Sequence, residues 1–212
     1  MAEKMAQPIF RSMSIIITAF VCYFPQMALS QKVPTLPDTN LSVAYLAPDA
    51  PTFNLTIPEL RSQFNQTYKD LYLHEYKVIA SQDISVPYIR AASRINQQIY
   101  SSAVLERGSE KIKSLQITLL PTDNEADAQE SRQLIERYII AIIHQFDPNV
   151  SLDKAPELTA ALNKFMANKA PTRAEEARLG ALRYILVKSD NNVLTFAVEP
   201  IKLEQQASES SK

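Results

Sequence analysis

Apolar residues recur at every third or fourth position through Leu134, Ile135, Tyr138, Ile139, Ile142, Ile143 and Phe146, the spacing that gathers side chains on one face of a helix. Thr122-Asp123-Asn124-Glu125 supplies capping groups ahead of the run and Asp147-Pro148 stops it, so a helix is predicted over about 123–146. A second start is Thr56-Ile57-Pro58-Glu59, where the Thr56 hydroxyl can cap and Glu59 can reach back, with Pro58 tolerated in a first turn. Leu60 and Phe64 then share a face, which predicts a helix over about 57–65. Leu158, Leu162, Phe165 and Met166 give another over about 156–168. Ile89, Ala92, Ile95 and Ile99 fit the same period over about 87–100. A last short helix, about 173–179, would open at Thr172–Glu175 and leave through Gly180 in the left-handed region.

Strand signals come from alternation. KIKSLQITLL reads as a strand over about 111–120 ended by Pro121, after a turn at Glu106-Arg107-Gly108-Ser109. LRYILVK and VLTFAVE read as strands over about 182–188 and 193–199, joined by Ser189-Asp190-Asn191-Asn192. The pattern predicts an α+β domain: a small antiparallel sheet of three or more strands packed against helices, the long one covering a sheet face. Tyr68, Tyr72 and Tyr76 stand at helical spacing, yet 68–85 stays open between helix and loop, and 101–106 between helix and strand. Residues 31–50, with three prolines, predict an extended lead-in. The domain proper is expected over 51–203, and the polar residues 204–212 predict a disordered tail.

The amino end has a different character. Lys4 and Arg11 precede an uncharged apolar run from Ser12 to Phe24, Pro25 breaks it, and Ala28-Leu29-Ser30 offers small residues to a signal peptidase. The run is about 13 residues, short of the ~20 a permanent span needs. Residues 1–30 therefore read as a cleavable signal peptide cut between Ser30 and Gln31, and the expected location is the periplasm. Cys22 sits behind Phe20 and Val21, too bulky for lipid attachment, and leaves with the signal. The mature chain then has no thiol, which excludes disulfides, thiolate catalysis and cysteine metal sites.

Net charge is −1 over the whole chain and slightly more negative once the signal is removed, so no basic field invites nucleic acid or anionic lipid. Membrane contact is expected only through the signal peptide before cleavage. His74 and His144 are far apart and lack a metal-ligand pattern. No nucleophile elbow exists, and two glycines, Gly108 and Gly180, are too few for phosphate-cradling loops. Glu175-Glu176 read as favouring a helix dipole rather than as a glycosidase pair. Asn40, Asn54 and Asn65 head Asn-x-Ser/Thr triplets, chance matches in a bacterial periplasm and sugar acceptors in a eukaryotic secretory path. No catalytic residue, cofactor site or metal site is assigned, and no cofactor is expected. The densest polar run is Arg94, Asn96, Tyr100, Glu106, Arg107, Lys111 and Lys113. These residues would gather near the 106–109 turn as a shallow site for an anionic group, or form a solvated face of weak ion pairs.

Three stretches carry a resemblance: APTFNLTIPELRSQFN (50–65), IRAASRINQQIYSSAVLERGSEKIKSLQITLLP (89–121) and LGALRYILVKSDNNVLTFAVEPIKL (179–203). With them the chain resembles the YiiQ-like family of uncharacterised exported proteins from Gram-negative bacteria. GALRY followed by TFAVEPIKL is the most specific match. Two departures are Ala28-Leu29-Ser30, where family signals end in Ala-x-Ala, and Asn191-Asn192, where the family turn contains glycine. The resemblance implies periplasmic residence and supplies no catalytic residues. Three functions stay open: a non-catalytic binding or accessory domain for an envelope protein or small ligand, a hydrolase or transferase acting on an envelope polymer, and a passive structural envelope protein.

Overall fold

The computed structural model describes residues 44–79, 85–149, 155–167 and 172–202. The signal cleavage point at Ser30 and Gln31, most of the lead-in and the 204–212 tail lie outside them. A 3-10 turn, Ala44–Leu46, comes first, followed by α1 (Ile57–Thr67), β1 (Lys77–Ile79), β2 (Tyr88–Arg94), β3 (Ile99–Glu106) and β4 (Ile112–Leu119). Next are α2 (Glu125–Phe146), α3 (Ala155–Ala167), β5 (Arg173–Leu179), β6 (Leu182–Lys188) and β7 (Leu194–Pro200). The strands form one seven-stranded sheet, ordered β1-β2-β3-β4-β7-β6-β5, with every pairing antiparallel. The fold is α+β. Two meanders, β1 to β4 and β5 to β7, meet where β4 pairs with β7.

The helices begin for the reasons their caps suggest. At α1 the Thr56 amide and Thr56 hydroxyl both donate to Glu59 Oε2, each at 2.8 Å. At α2 the Asn124 side chain accepts from the amides of Ala126 and Asp127, which otherwise have no partner in a first turn. α2 buries Ile135, Tyr138, Ile139, Ile142 and Ile143 against a sheet face made by Ile99, Leu115, Ile117, Phe196 and Val198. Leu60 and Phe64 of α1 join this core with no exposed surface, and α3 adds Leu162 and Phe165.

Two predicted helices are strands. Residues 87–100 form β2 and the start of β3, a hairpin in which Arg94 pairs with Tyr100 and Tyr88 with Glu106. Asn96 makes the turn, its side-chain oxygen accepting from the amides of Gln98 and Ile99 at 2.9 and 2.7 Å. The core-facing residues of β2 include the small Ala91 and Ser93, so the apolar alternation of a strand is faint and the helical spacing of the isoleucines is coincidence. Residues 173–179 form β5, paired along its whole length with β6. Gly180 does take positive φ, at 56°, but in a two-residue hairpin link rather than at a helix exit. Residues 101–106 are strand.

The 68–76 stretch is neither helix nor strand. Tyr138 Oη donates to the Tyr72 carbonyl at 3.0 Å and accepts from the Tyr72 amide at 2.9 Å. Asn65 likewise brackets Leu73, donating to its carbonyl at 3.1 Å and accepting from its amide at 2.8 Å. Side chains thus supply the hydrogen bonds a neighbouring strand would give, and Leu71 and Leu73 stay buried.

Candidate functional site

The seven polar residues singled out in the sequence do not form one group. Arg94, Asn96 and Tyr100 stand at one end of the β2–β3 hairpin, where Arg94 Nε donates to the Asn96 carbonyl and the guanidinium lies 5.7 Å from the Tyr100 ring centroid. Glu106, Arg107 and Lys111 stand at the other end, six residues along β3, or ~20 Å at strand rise. There Glu106 accepts from the Ser109 hydroxyl, and Lys111 donates to Asn54 Oδ1 at 2.8 Å. Arg107 is tied to backbone, Nε donating to the Val86 carbonyl at 2.7 Å and Nη2 to the Tyr88 carbonyl at 3.3 Å. Lys113 belongs to neither group. The β3–β4 ladder passes from Val104↔Ser114 to Leu105↔Ile112, so Lys113 is the extra residue of a bulge. Its side chain is fully buried, with Nζ donating to the carbonyls of Ala47 and Pro48 at 2.7 and 3.3 Å.

Lys113 leads to a polar arrangement that sequence reading missed. On the sheet face away from α2, the register aligns Arg90, Val104 and Ser114 across β2, β3 and β4. Ser114 Oγ donates to Glu199 Oε1 at 3.4 Å, and Glu199 lies opposite Arg183, which lies opposite Arg178. Arg183 Nε donates to Glu199 Oε2 at 3.1 Å, and a second bond runs from Nη2 to the same oxygen. Glu176 Oε2 is 4.0 Å from Arg183 Nη1. Glu199 is 1% exposed and Arg183 5%, so this is an interior ion pair. Burial raises the Glu199 carboxyl above the ordinary carboxylate range, against the pull of Arg183 and Ser114. The buried Tyr45 phenol is raised by burial first and by the Glu199 charge second. No local signal opposed them: a four-residue 189–192 turn would set Arg183 against Val198, whereas the observed link of 189–193 sets Lys188 against Leu194 and so Arg183 against Glu199.

Each of these groups is held by partners within the fold. The same holds beside α2, where Tyr68 Oη and His144 Nδ1 are hydrogen-bonded at 2.8 Å. Tyr76 donates to Ser101, whose hydroxyl donates to the Gln116 carbonyl at 3.1 Å. Among the described residues, no group of three or more His, Cys, Asp or Glu side chains is placed to hold a metal ion, and no helix is long and apolar enough to cross a membrane.

An open cleft of about 510 Å³ is lined by residues 146–149 at the exit of α2 and 179–182 at the β5–β6 turn. Its walls are Phe146, Leu179, Ala181 and Leu182, and Leu179 is 50% exposed. Asp147 is the ionisable group in its lining. Sequence reading treated Asp147 and Gly180 as stop signals alone, because nothing local tells that two chain reversals lie side by side.

Comparison with known proteins agrees with the resemblance. No solved structure matches the chain. The uncharacterised protein YiiQ of Escherichia coli (strain K12) is 37% identical over 167 residues, covering 79% of this chain and 82% of that protein. A family model described as a protein of unknown function, DUF1454, matches residues 15–207. With the buried Glu199 and the bulged Lys113 inside that match, the chain belongs to the DUF1454 family.

Proposed function

We propose that this protein is an exported, non-catalytic binding domain that serves the bacterial envelope from the periplasm. The observation that carries the reading is the engagement of its interior ionisable groups. Arg183, Glu199 and Lys113 are each held by fixed protein partners beneath the surface. Acid–base catalysis needs a titratable pair within hydrogen-bond reach of a substrate, whereas the described cleft presents a single carboxylate. The polymer-hydrolase reading placed its groups between Arg94 and Lys113, and those side chains lie at two ends of a strand and inside a bulge. The amino-terminal run supports export, being polar at its start, apolar for about 13 residues and followed by small residues.

The test combines fractionation with site-specific photocrosslinking in the native Gram-negative host. The expected result is a periplasmic chain beginning at Gln31, with a photoreactive residue at Leu179 yielding a discrete adduct and the same group at exposed Glu110 yielding none. A cytosolic chain that keeps Met1 overturns the export reading. Equal labelling, or none, at both positions overturns the binding reading.

A further inference from the structure

The cleft between the α2 exit and the β5–β6 turn has a chemistry of its own, and four observations bear on it. First, its walls are apolar, contributed by Phe146, Leu179, Ala181 and Leu182. Second, its polar end is negative. Asp147 lies there just past the last turn of α2, where helix carbonyls point outward and concentrate partial negative charge. Third, no ion pair involves Asp147 among the described residues. One of its oxygens accepts from the Asn149 amide at 3.2 Å, which leaves acceptor capacity on the carboxylate. The basic residue of the last helical turn, His144, is engaged with Tyr68. Fourth, Tyr184 lies two residues beyond Leu182 on the same sheet face, and its hydroxyl oxygen is buried with no hydrogen-bond partner. Asp147 is close enough for its charge to oppose ionisation of that phenol, which burial and this charge together push up to about 12. Tyr184 stands outside the cleft's lining, so the phenol neighbours Asp147 without forming part of the wall.

We infer that this cleft binds an alkylammonium group, its cationic head at Asp147 and the α2 carbonyl end, its methylenes against Leu179, Leu182 and Phe146. A carboxylate beside carbonyl dipoles selects a cation over an anion. The apolar walls select a head carried on a short hydrocarbon stem over a bare hydrated ion. Such a group is found on free organic amines and on the lysine side chains of proteins, and both present the same head and stem. This inference rests on the binding reading above.

The experiment is an amide chemical-shift titration of the purified mature chain with hexane-1-amine at neutral pH. Hexan-1-ol serves as the uncharged isostere and N-acetyl-lysine-N-methylamide as the lysine arm. Saturable shifts are expected at Asn149, Gly180 and Ala181, with hexan-1-ol at least tenfold weaker. Asp147→Asn, which keeps the acceptor for the Asn149 amide, should weaken the amine at least tenfold. Tyr184→Phe, outside the lining, should leave both the fold and the amine affinity unchanged. Lysine-arm affinity equal to the amine assigns the site to a protein side chain, and tighter amine binding assigns it to a free amine. No saturable shift at these amides, equal affinity for the alcohol, or indifference to Asp147→Asn overturns the proposal. Failure here leaves the crosslinking test standing. A failed crosslink with intact amine binding removes the envelope partner and keeps the cleft.

Discussion

Replacing Glu199 with glutamine deletes one charge of the interior pair and strands the other. Arg183 would remain 5% exposed, with Glu176, 4.0 Å away, as its remaining carboxylate. Removing one member of a buried pair costs about 3–5 kcal/mol, because the surviving charge loses its partner without regaining water. Glu176 compensates in part, which sets the expected cost near 3 kcal/mol, a sizeable fraction of the ~5–15 kcal/mol that holds a typical domain folded. With a urea dependence of about 2 kcal/mol per molar, the unfolding midpoint should fall by about 1.5 M. The double variant Glu199→Leu with Arg183→Met separates charge stranding from loss of packing. It should recover most of that loss or exceed the parent, since apolar replacements of buried pairs are neutral or stabilising by about 1–4 kcal/mol. A local readout accompanies the global one: Glu199 is a cause of the raised Tyr45 phenol, so its removal should lower the Tyr45 titration seen by ultraviolet absorbance. A glutamine variant whose midpoint stays within about 0.3 M of the parent, roughly 0.6 kcal/mol, would refute the description of this pair as interior.

Other expectations follow from single sites. Ser93 carries a buried hydroxyl without a partner, so Ser93→Ala should stabilise by about 1 kcal/mol in urea unfolding, and a loss would show that the hydroxyl is bonded. Gly180 has φ of 56° and open space where a methyl group would stand, with nothing within 4 Å. Gly180→Ala should therefore cost about 1–2 kcal/mol through backbone conformation alone, measured the same way. Phe64, with no exposed surface and its ring stacked on Tyr138, should cost about 3–5 kcal/mol as Phe64→Ala. Burial raises the hydroxyls of Tyr45, Tyr68, Tyr76, Tyr138 and Tyr184 above 10.0. The folded chain then keeps these protons where the unfolded chain has lost them, so stability is full below pH 10 and falls as pH rises past it. Urea midpoints measured from about pH 9 to 11 should decline steadily, and a flat series would contradict the burial of these rings.

What was legible in the sequence was local. The α2 helix and the β6–β7 hairpin were readable because periodicity, stop signal and turn stand within a few positions of one another, although the cap falls on Asn124 and not on Thr122, which heads the Thr-x-x-Glu pattern. The β2 strand was not, since Ala91 and Ser93 do the facing inward and carry almost no hydrophobic signal. β5 was not, because it is a sheet edge whose Glu175, Glu176, Arg178 and Leu179 are exposed and whose charges resemble those of a helix start. Lys113 was noticed as a surface cation. The bulge that turns it inward depends on β3 and β4 differing by one residue between two pairings, a comparison no window along the chain can make. The cleft at Asp147 escaped for a related reason, since its halves are separated in the chain by α3.

The sheet order has a consequence for how this lineage can vary. Strands within each meander pair with their nearest neighbours in sequence, and the two halves are stitched by the register from Leu119↔Leu194 to Leu115↔Val198. Closing the intervening loop costs an entropy that grows only with the logarithm of its length, about 0.6 kcal/mol for each doubling. The links on either side of α3, outside its buried Leu162 and Phe165, are therefore where a change of length costs the architecture least, while a one-residue insertion within β4 or β7 would turn their core residues toward the polar row.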